Sequence, residues 1–186
     1  MDIALIVDLS MSVGSSVDIY FRRLFEFVTG FMVGENQTRF GAVTFNEVAN
    51  VSFTLDAFTD IIGYFIAIYT FPVPSGQTNI ADAFRVTRNN LFGKSGDRPD
   101  VPNVCILFSD GLSTREMNET LNEADQTRPF CTIISVSIGN LTDEVELKMI
   151  ADGDRFFEVL NYDLLSTIRL NLTNTACDCP ESKYTL

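Results

Sequence analysis

The sequence predicts an α/β fold: a doubly wound, Rossmann-like, mainly parallel six-stranded sheet with one antiparallel edge strand and helices on both faces. Three observations carry this. Apolar runs alternate along the whole chain with segments of helical periodicity, the pattern of a mostly parallel sheet covered on both sides. The runs Ile3-Ala4-Leu5-Ile6-Val7 and Val104-Cys105-Ile106-Leu107 are continuously apolar, as strands buried on both faces are. Finally, the runs at 39–45 and 48–55 are separated by only Asn46 and Glu47, too short for a crossover, so those two strands form an antiparallel hairpin.

Taken in order, the expected strands lie near 2–8, 39–45, 48–55, 103–109, 131–138 and 155–159, and the helices near 15–32, 58–70, 79–92, 114–126, 143–151 and 163–173. Ser15 or Ser16 is a candidate cap for the first helix, Gly30 and Gly34 stop it, and Ser113 with Glu116 has the spacing of a capping box. Phe21 and Phe25 stand one helical turn apart, which places them in a core rather than a ligand box. The last helix carries Leu164, Leu165, Ile168 and Leu172 as its apolar face. No internal repeat or low-complexity run interrupts this order.

A chain of 186 residues, 46% hydrophobic, buries one substantial core, and nothing in it marks a linker between two domains. We divide it into one domain over 1–175 and a cysteine-containing tail over 176–186 that leads to a flanking module. The sequence opens directly on a strand, without a basic, apolar leader, so it reads as a domain excised from a longer protein, with Met1 an added start. No apolar stretch is long enough to span a bilayer. The net charge of −12 and the absence of any Lys/Arg cluster argue against nucleic acid, because phosphate binding needs a basic surface. Divalent ions and cationic partners suit this charge, which also serves simply to keep an extracellular domain in solution.

The chemistry concentrates at strand ends. Asp8-Leu9-Ser10-Met11-Ser12 follows the first apolar run; where the chain turns out of the strand, Asp8, Ser10 and Ser12 can converge on one hard cation. Gly76-Gln77-Thr78-Asn79, a turn leading into a helix, offers the Thr78 hydroxyl, and Phe108-Ser109-Asp110-Gly111 offers a second carboxylate at the end of another strand. A donor set of oxygen alone favours magnesium, calcium or manganese. Each residue also has a plainer role open to it: Ser10, Ser12 and Thr78 as helix caps, the aspartates as acceptors of loop amides.

These residues resemble the von Willebrand factor A domains, whose metal-ion-dependent adhesion site has the pattern D-x-S-x-S, then a threonine, then an aspartate. The resemblance covers nearly the whole chain, from Asp2–Asp8 through Arg39-Phe40-Gly41-Ala42-Val43-Thr44-Phe45 and Gly76-Gln77-Thr78 to Ser109-Asp110-Gly111 and Val136-Ser137-Ile138-Gly139. Met11 stands where a small residue is common and Ser109 where a threonine is usual; neither change removes a ligand.

The resemblance implies that Ser10, Ser12 and Thr78 bind a divalent cation, magnesium first and calcium or manganese next, through their hydroxyls, and that Asp8 and Asp110 act directly or through water. Neutral hydroxyls leave a dication under-neutralised, so an open coordination position attracts a partner's carboxylate. The expected function is extracellular, metal-dependent adhesion or matrix assembly through a matrix or cell-surface protein that presents an acidic residue, with collagen-like fibres or mineral as further partner candidates. The alternative is an acidic, calcium-associating structural domain of a mineralised or fibrous matrix; a metal-dependent affinity lost on Ser12→Ala separates the two. In relatives the last helix shifts when the site engages a ligand; a fixed amphipathic helix is the other reading here. The segment Gly139–Asp143 is too short for the extra helix of collagen-binding integrin relatives, which argues against their mode of binding. An enzyme is not expected: the chain lacks histidine, G-x-G-x-x-G and a P-loop, and Asp8-Leu9-Ser10 lacks the second aspartate of aspartyl phosphotransferases.

A secreted, matrix localisation is supported by five N-glycosylation acceptors, Asn36, Asn50, Asn118, Asn140 and Asn171, against about two expected by chance. Asn140 is expected at the same end of the sheet as the metal loop. Cys105 and Cys131 either bridge neighbouring strands or remain buried thiols. Cys177 and Cys179, in a polar tail, are placed to pair with residues elsewhere rather than with each other.

Overall fold

The computed structural model describes residues 1–94, 96–139 and 144–178. Its centre is a six-stranded sheet in the order β3-β2-β1-β4-β5-β6, with β1 Asp2–Asp8, β2 Arg39–Phe45, β3 Ala49–Phe53, β4 Asn103–Ser109, β5 Thr132–Ile138 and β6 Phe156–Val159. All adjacent pairs are parallel except β2 with β3, the hairpin that the two-residue separation requires. Both central strands, β1 and β4, are buried along all seven residues.

Among the described residues six α-helices cover the two faces: α1 Val17–Val28, α2 Ile61–Tyr69, α3 Ile80–Val86, α4 Thr120–Thr127, α5 Glu144–Ile150 and α6 Leu165–Cys177. Ile3, Leu5 and Val7 of β1 point to one side, where Tyr20, Phe21 and Leu24 of α1, Tyr64 and Ile68 of α2 and Leu165 and Leu172 of α6 close the core. Ala4 and Ile6 point to the other, against Ile80 and Phe84 of α3, Ala124 of α4 and Leu147 and Ile150 of α5. The first side is rich in aromatic edge-to-face pairs, among them Phe27 with Phe40 and Phe40 with Tyr64, an arrangement that favours ring quadrupoles over face-to-face stacking. Phe21 is buried there, and Phe25 packs half-buried on Phe65.

Several boundaries differ from those read in the sequence, for local reasons. The first helix is preceded by a 3-10 segment over Met11–Ser16 broken at Gly14, and neither Ser15 nor Ser16 makes a side-chain cap. α2 starts at Ile61 because Asp60 caps it, accepting from the amides of Ile62 and Gly63. After Val86 the α-helix widens into a π-helical turn, Thr87–Leu91, which lays Leu91 over Gly41; a Cβ on that glycine would stand 2.7 Å from Leu91 Cδ1. The proposed capping box does not form: Ser113 Oγ donates to the Arg115 carbonyl, Glu116 turns outward with left-handed backbone, and a 3-10 turn at Met117–Glu119 leads into α4. Leu164, expected on the apolar face of the last helix, lies in the 3-10 turn before α6 and is 37% exposed.

Cys105 and Cys131 form a disulfide that ties β4 to the start of β5. Cys177 is exposed at the end of α6, which runs two residues past the expected domain end; Cys179 and the rest of the tail lie outside the described residues. At the pole opposite the strand ends, fully buried Asp2 accepts from Arg98 Nε at 3.0 Å and from the Arg98 amide at 2.9 Å, so its charge is matched where water is absent. No described helix is long and apolar enough to cross a membrane.

The disulfide closes a sequence separation of 26 residues, which in the chain-entropy account stabilises by about 3 kcal/mol. A Cys105→Ala/Cys131→Ala variant is expected to unfold at a lower urea midpoint, with a slope at least as steep because the uncrosslinked unfolded chain exposes more surface; an unchanged extrapolated free energy would show that the bridge contributes little.

Candidate metal centre

In a doubly wound sheet, ligands bind beyond the carboxyl ends of the strands where the connections diverge. Here the divergence falls between β1, whose chain continues through α1 to β2, and β4, whose chain continues through α4 to β5. Asp8 is the last residue of β1 and Asp110 follows the last residue of β4.

Asp8 is fully buried, and both its oxygens are held by protein donors: Oδ1 accepts from the Ser10 amide at 2.8 Å and Oδ2 from Ser109 Oγ at 2.6 Å. Burial pushes its carboxyl up to about 6, with the Asp110 charge adding to the shift and the Ser109 and Ser10 hydrogen bonds opposing it. Beyond it the serine hydroxyls form a chain: Ser10 Oγ and Ser12 Oγ lie 2.9 Å apart, and Ser12 Oγ donates to Asp110 Oδ1 at 2.7 Å. Thr78 enters from the turn before α3. Its amide donates to Thr114 Oγ1, and its carbonyl accepts from the amides of Thr114 and Arg115.

Gly111 marks where these loops meet. A Cβ built on it would stand 3.6 Å from both Ser12 Oγ and Thr78 Oγ1, so two hydroxyls from separate loops face one point beside Asp110. The structure thus brings Asp8, Ser10, Ser12, Thr78 and Asp110 to one end of the sheet. Their donors are three hydroxyls and two carboxylates. That set fits a hard dication and lacks the sulfur and imidazole ligands of a softer site. Among the described residues no group of three or more His, Cys, Asp and Glu side chains converges.

Sequence reasoning missed the residues that hold this set in place. Tyr162, in the turn before α6, donates through its hydroxyl to Asp110 Oδ2 at 2.6 Å. Burial, together with the nearby Tyr20 and Asp110, raises its pKa and keeps it a neutral donor. Its ring packs 4.7 Å from that of Tyr20. The signal was available, because Tyr162 follows the last strand at its carboxyl end, where all the other site residues stand. Behind Thr78, Asn79 caps α3 and donates to Glu116, which accepts in turn from Arg85 at 2.7 Å. Glu116 is the one described non-glycine residue with positive φ, at 48°, which costs a side-chain residue energy and calls for compensating contacts.

The candidate glycosylation residues Asn36, Asn50, Asn118 and Asn171 are all exposed. Asn140, and with it most of the short segment 139–143, lies outside the described residues.

The von Willebrand factor type A domain profile matches residues 2–171. Among curated relatives, cuticlin-6 of Caenorhabditis elegans is 25% identical over 89% of this chain and 28% of its own length. The collagen alpha-4(VI) chain of Mus musculus is 25% identical over 97% and 8%, and vitrin of Mus musculus 26% identical over 95% and 27%. The chain therefore spans less than a third of these relatives. Among solved structures, proximal thread matrix protein 1 of the mussel byssus superposes with a TM-score of 0.87 at 25% identity, over 97% of this chain and 47% of that one. The same protein with a zinc-occupied MIDAS motif superposes with a TM-score of 0.86 at 25% identity, over the same shares. Manganese-loaded TRAP protein of Plasmodium vivax shares the fold, with a TM-score of 0.71 at 15% identity over 92% of this chain and 73% of that one.

Acid should expose the support behind Thr78. The Arg85 hydrogen bond, then that from Asn79, holds the Glu116 carboxyl below its usual range. A depressed folded pKa contributes stability that is present above the unfolded value and lost as pH falls through the folded one. Melting temperatures measured between roughly pH 5 and pH 3 are expected to fall less steeply for Glu116→Gln than for the unaltered chain; parallel curves would count against the coupling.

Proposed function

Because the chain belongs to the von Willebrand factor type A domain family, we propose that it is a non-enzymatic adhesion or matrix-assembly module that binds a partner protein through a divalent cation. Asp8, Ser10, Ser12, Thr78 and Asp110 would hold the cation. The observation that carries this reading is the meeting of the Ser12 and Thr78 hydroxyls beside Asp110, with Gly111 leaving the space between them free of side chain. When bound, the cation supplies an electrophilic position open to a carboxylate of the partner.

The protein's own groups do the positioning. Ser10 and Ser109 fix Asp8 by donating to both its oxygens. Ser12 and Tyr162 orient Asp110 from two sides. The Thr114 amide and hydroxyl set the backbone that carries Thr78. Such outer partners of metal ligands fix their direction and basicity, and losing one typically weakens metal binding about 10–100-fold.

Magnesium is the proposed ion, with calcium and manganese next; the zinc-occupied motif of the mussel protein adds zinc to the ions worth testing. The partner would be an extracellular matrix or cell-surface protein presenting Asp or Glu. Collagen and vitrin among the relatives and the thread matrix protein among the structures support a secreted, matrix setting. The acidic surface speaks against nucleic acid as that partner.

Calorimetric titration of metal-stripped protein with magnesium, calcium, manganese and zinc tests the reading. One saturable site is expected, lost in Asp8→Ala/Ser12→Ala. Weak, multi-site binding unchanged in that variant would instead support an acidic, calcium-associating structural domain. In the same titration Tyr162→Phe is expected to weaken binding by about tenfold while leaving the far-ultraviolet circular dichroism unchanged; an equal affinity would show that Ser12 alone suffices to orient Asp110.

A further inference from the structure

An open cavity of about 230 Å³ adjoins the candidate metal centre. Ser12 and Asp110 line one part of it, beside Tyr162, whose hydroxyl donates to Asp110 Oδ2. The rest of the lining includes Ile138 at the end of β5, Leu160 after β6 and Ser16 just before α1. Ile138 and Tyr162 are buried and form the floor, whereas Leu160 is 61% exposed and stands at the rim. The walls are fixed by the fold. Asn161 caps the turn that carries Tyr162 by accepting from the Leu164 amide at 3.2 Å, and the Gly139 amide donates to the Val159 carbonyl at 2.8 Å. The Tyr162 ring packs on Tyr20. Among the described residues Asp110 is the one charged side chain in the lining, and a bound cation would take up its charge.

We propose that this cavity is a side-chain subsite of the metal centre, taking an apolar residue that stands two positions from the partner's metal-binding carboxylate. The proposal rests on the cation-bridged reading above and adds to it what the neighbouring part of the partner must carry. Continuity selects the occupant. Ser12 and Asp110 belong both to the ligand set and to the cavity, so a partner whose carboxylate reaches the cation already stands at its mouth. In an extended segment the residue two positions away, in either direction, projects from the same face as the carboxylate, roughly 7 Å along. Size agrees: sites for whole small molecules run to roughly 300–1,000 Å³, and this smaller one suits a single side chain. Chemistry narrows the choice further. Ile138, Leu160 and the Tyr162 ring reward burial of an aliphatic group. A second acidic residue would meet a chain of net charge −12 with no cationic group in the described lining, and a lysine would compete with the metal for Asp110.

Titration of isotope-labelled, magnesium-loaded protein with capped peptides, followed by amide chemical shifts, tests this. The probes are Gly-Leu-Gly-Asp-Gly-Leu-Gly, the same peptide with both leucines replaced by glycine or by lysine, and the leucine peptide with asparagine in place of aspartate. The leucine peptide is expected to bind about tenfold tighter than the glycine one, as burial of much of one leucine side chain allows, and the lysine peptide no tighter than the glycine one. Leu160→Ser is expected to cut the leucine preference to less than about threefold; since Leu160 is exposed, that variant should keep the parent melting temperature. Magnesium-dependent binding of the aspartate peptides without a leucine preference overturns the subsite and leaves the metal reading standing. A preference that Leu160→Ser leaves intact, or a lysine peptide that binds tightest, does the same. Binding that survives chelation or the change to asparagine, or no shift up to roughly 10 mM peptide, removes the metal-bridged reading and the subsite with it.

Discussion

A carboxylate placed at the buried end of a central strand must be matched by donors, since an uncompensated charge there would cost several kcal/mol. In this protein the matching of Asp8 organises the whole upper end of the sheet. The Ser10 amide can reach it only if the chain turns sharply after β1, and the Ser109 hydroxyl can reach it only if β4 ends level with β1. The turn in turn places Met11 to donate to the Gly76 carbonyl and the Leu9 carbonyl to accept from Ser75, which ties the loop after β1 to the segment before α3. The Thr78 carbonyl then accepts from the loop after β4. Three loops are joined by main-chain bonds, so the positions of the hydroxyls are set by the fold itself.

Much of this was legible in the sequence. Strand continuity at 2–8 and 103–109 and the two-residue link at Asn46-Glu47 sufficed for the sheet, because buried parallel strands and tight hairpins leave few alternatives. The five candidate ligands were legible because each stands where a strand ends or a helix begins. What escaped was conformational. Nothing in Ser113-Thr114-Arg115-Glu116 distinguishes a capping box from a loop whose glutamate turns away to meet Arg85 and Asn79, since that choice depends on partners more than 30 residues away in the chain. Tyr162 escaped for a similar reason: its place after the last strand puts it at the right end of the sheet, but its hydrogen bond to Asp110 is fixed only once β6 lies beside β5. The cysteines at 105 and 131 could only be paired once β4 and β5 were known to be neighbours.

The two faces of the sheet divide the labour. The face covered by α1, α2 and α6 is packed with phenylalanine and tyrosine rings, and it includes Tyr20, which carries the aromatic packing up to Tyr162 and so to Asp110. The opposite face is mainly aliphatic and is crossed by the disulfide, with Glu123 of α4 paired to Arg85 of α3 and to Arg88 of the π-helical turn that follows. The second face thus adds a covalent tie and buried ion pairs to its hydrophobic core, whereas the rings of the first reach the candidate centre directly.

The direction of the chain at the two poles has a mechanical meaning. The candidate centre lies at the carboxyl end of β1, while Met1 stands at the opposite end of that strand, packed against the core that also holds Ala176 of α6. Tension applied between Met1 and Asp8 would run lengthwise along β1, which is bonded to β2 and β4 on either side. Such a load shears two ladders at once instead of peeling one bond after another. The strand that presents Asp8 is thus also one arranged to resist being pulled out.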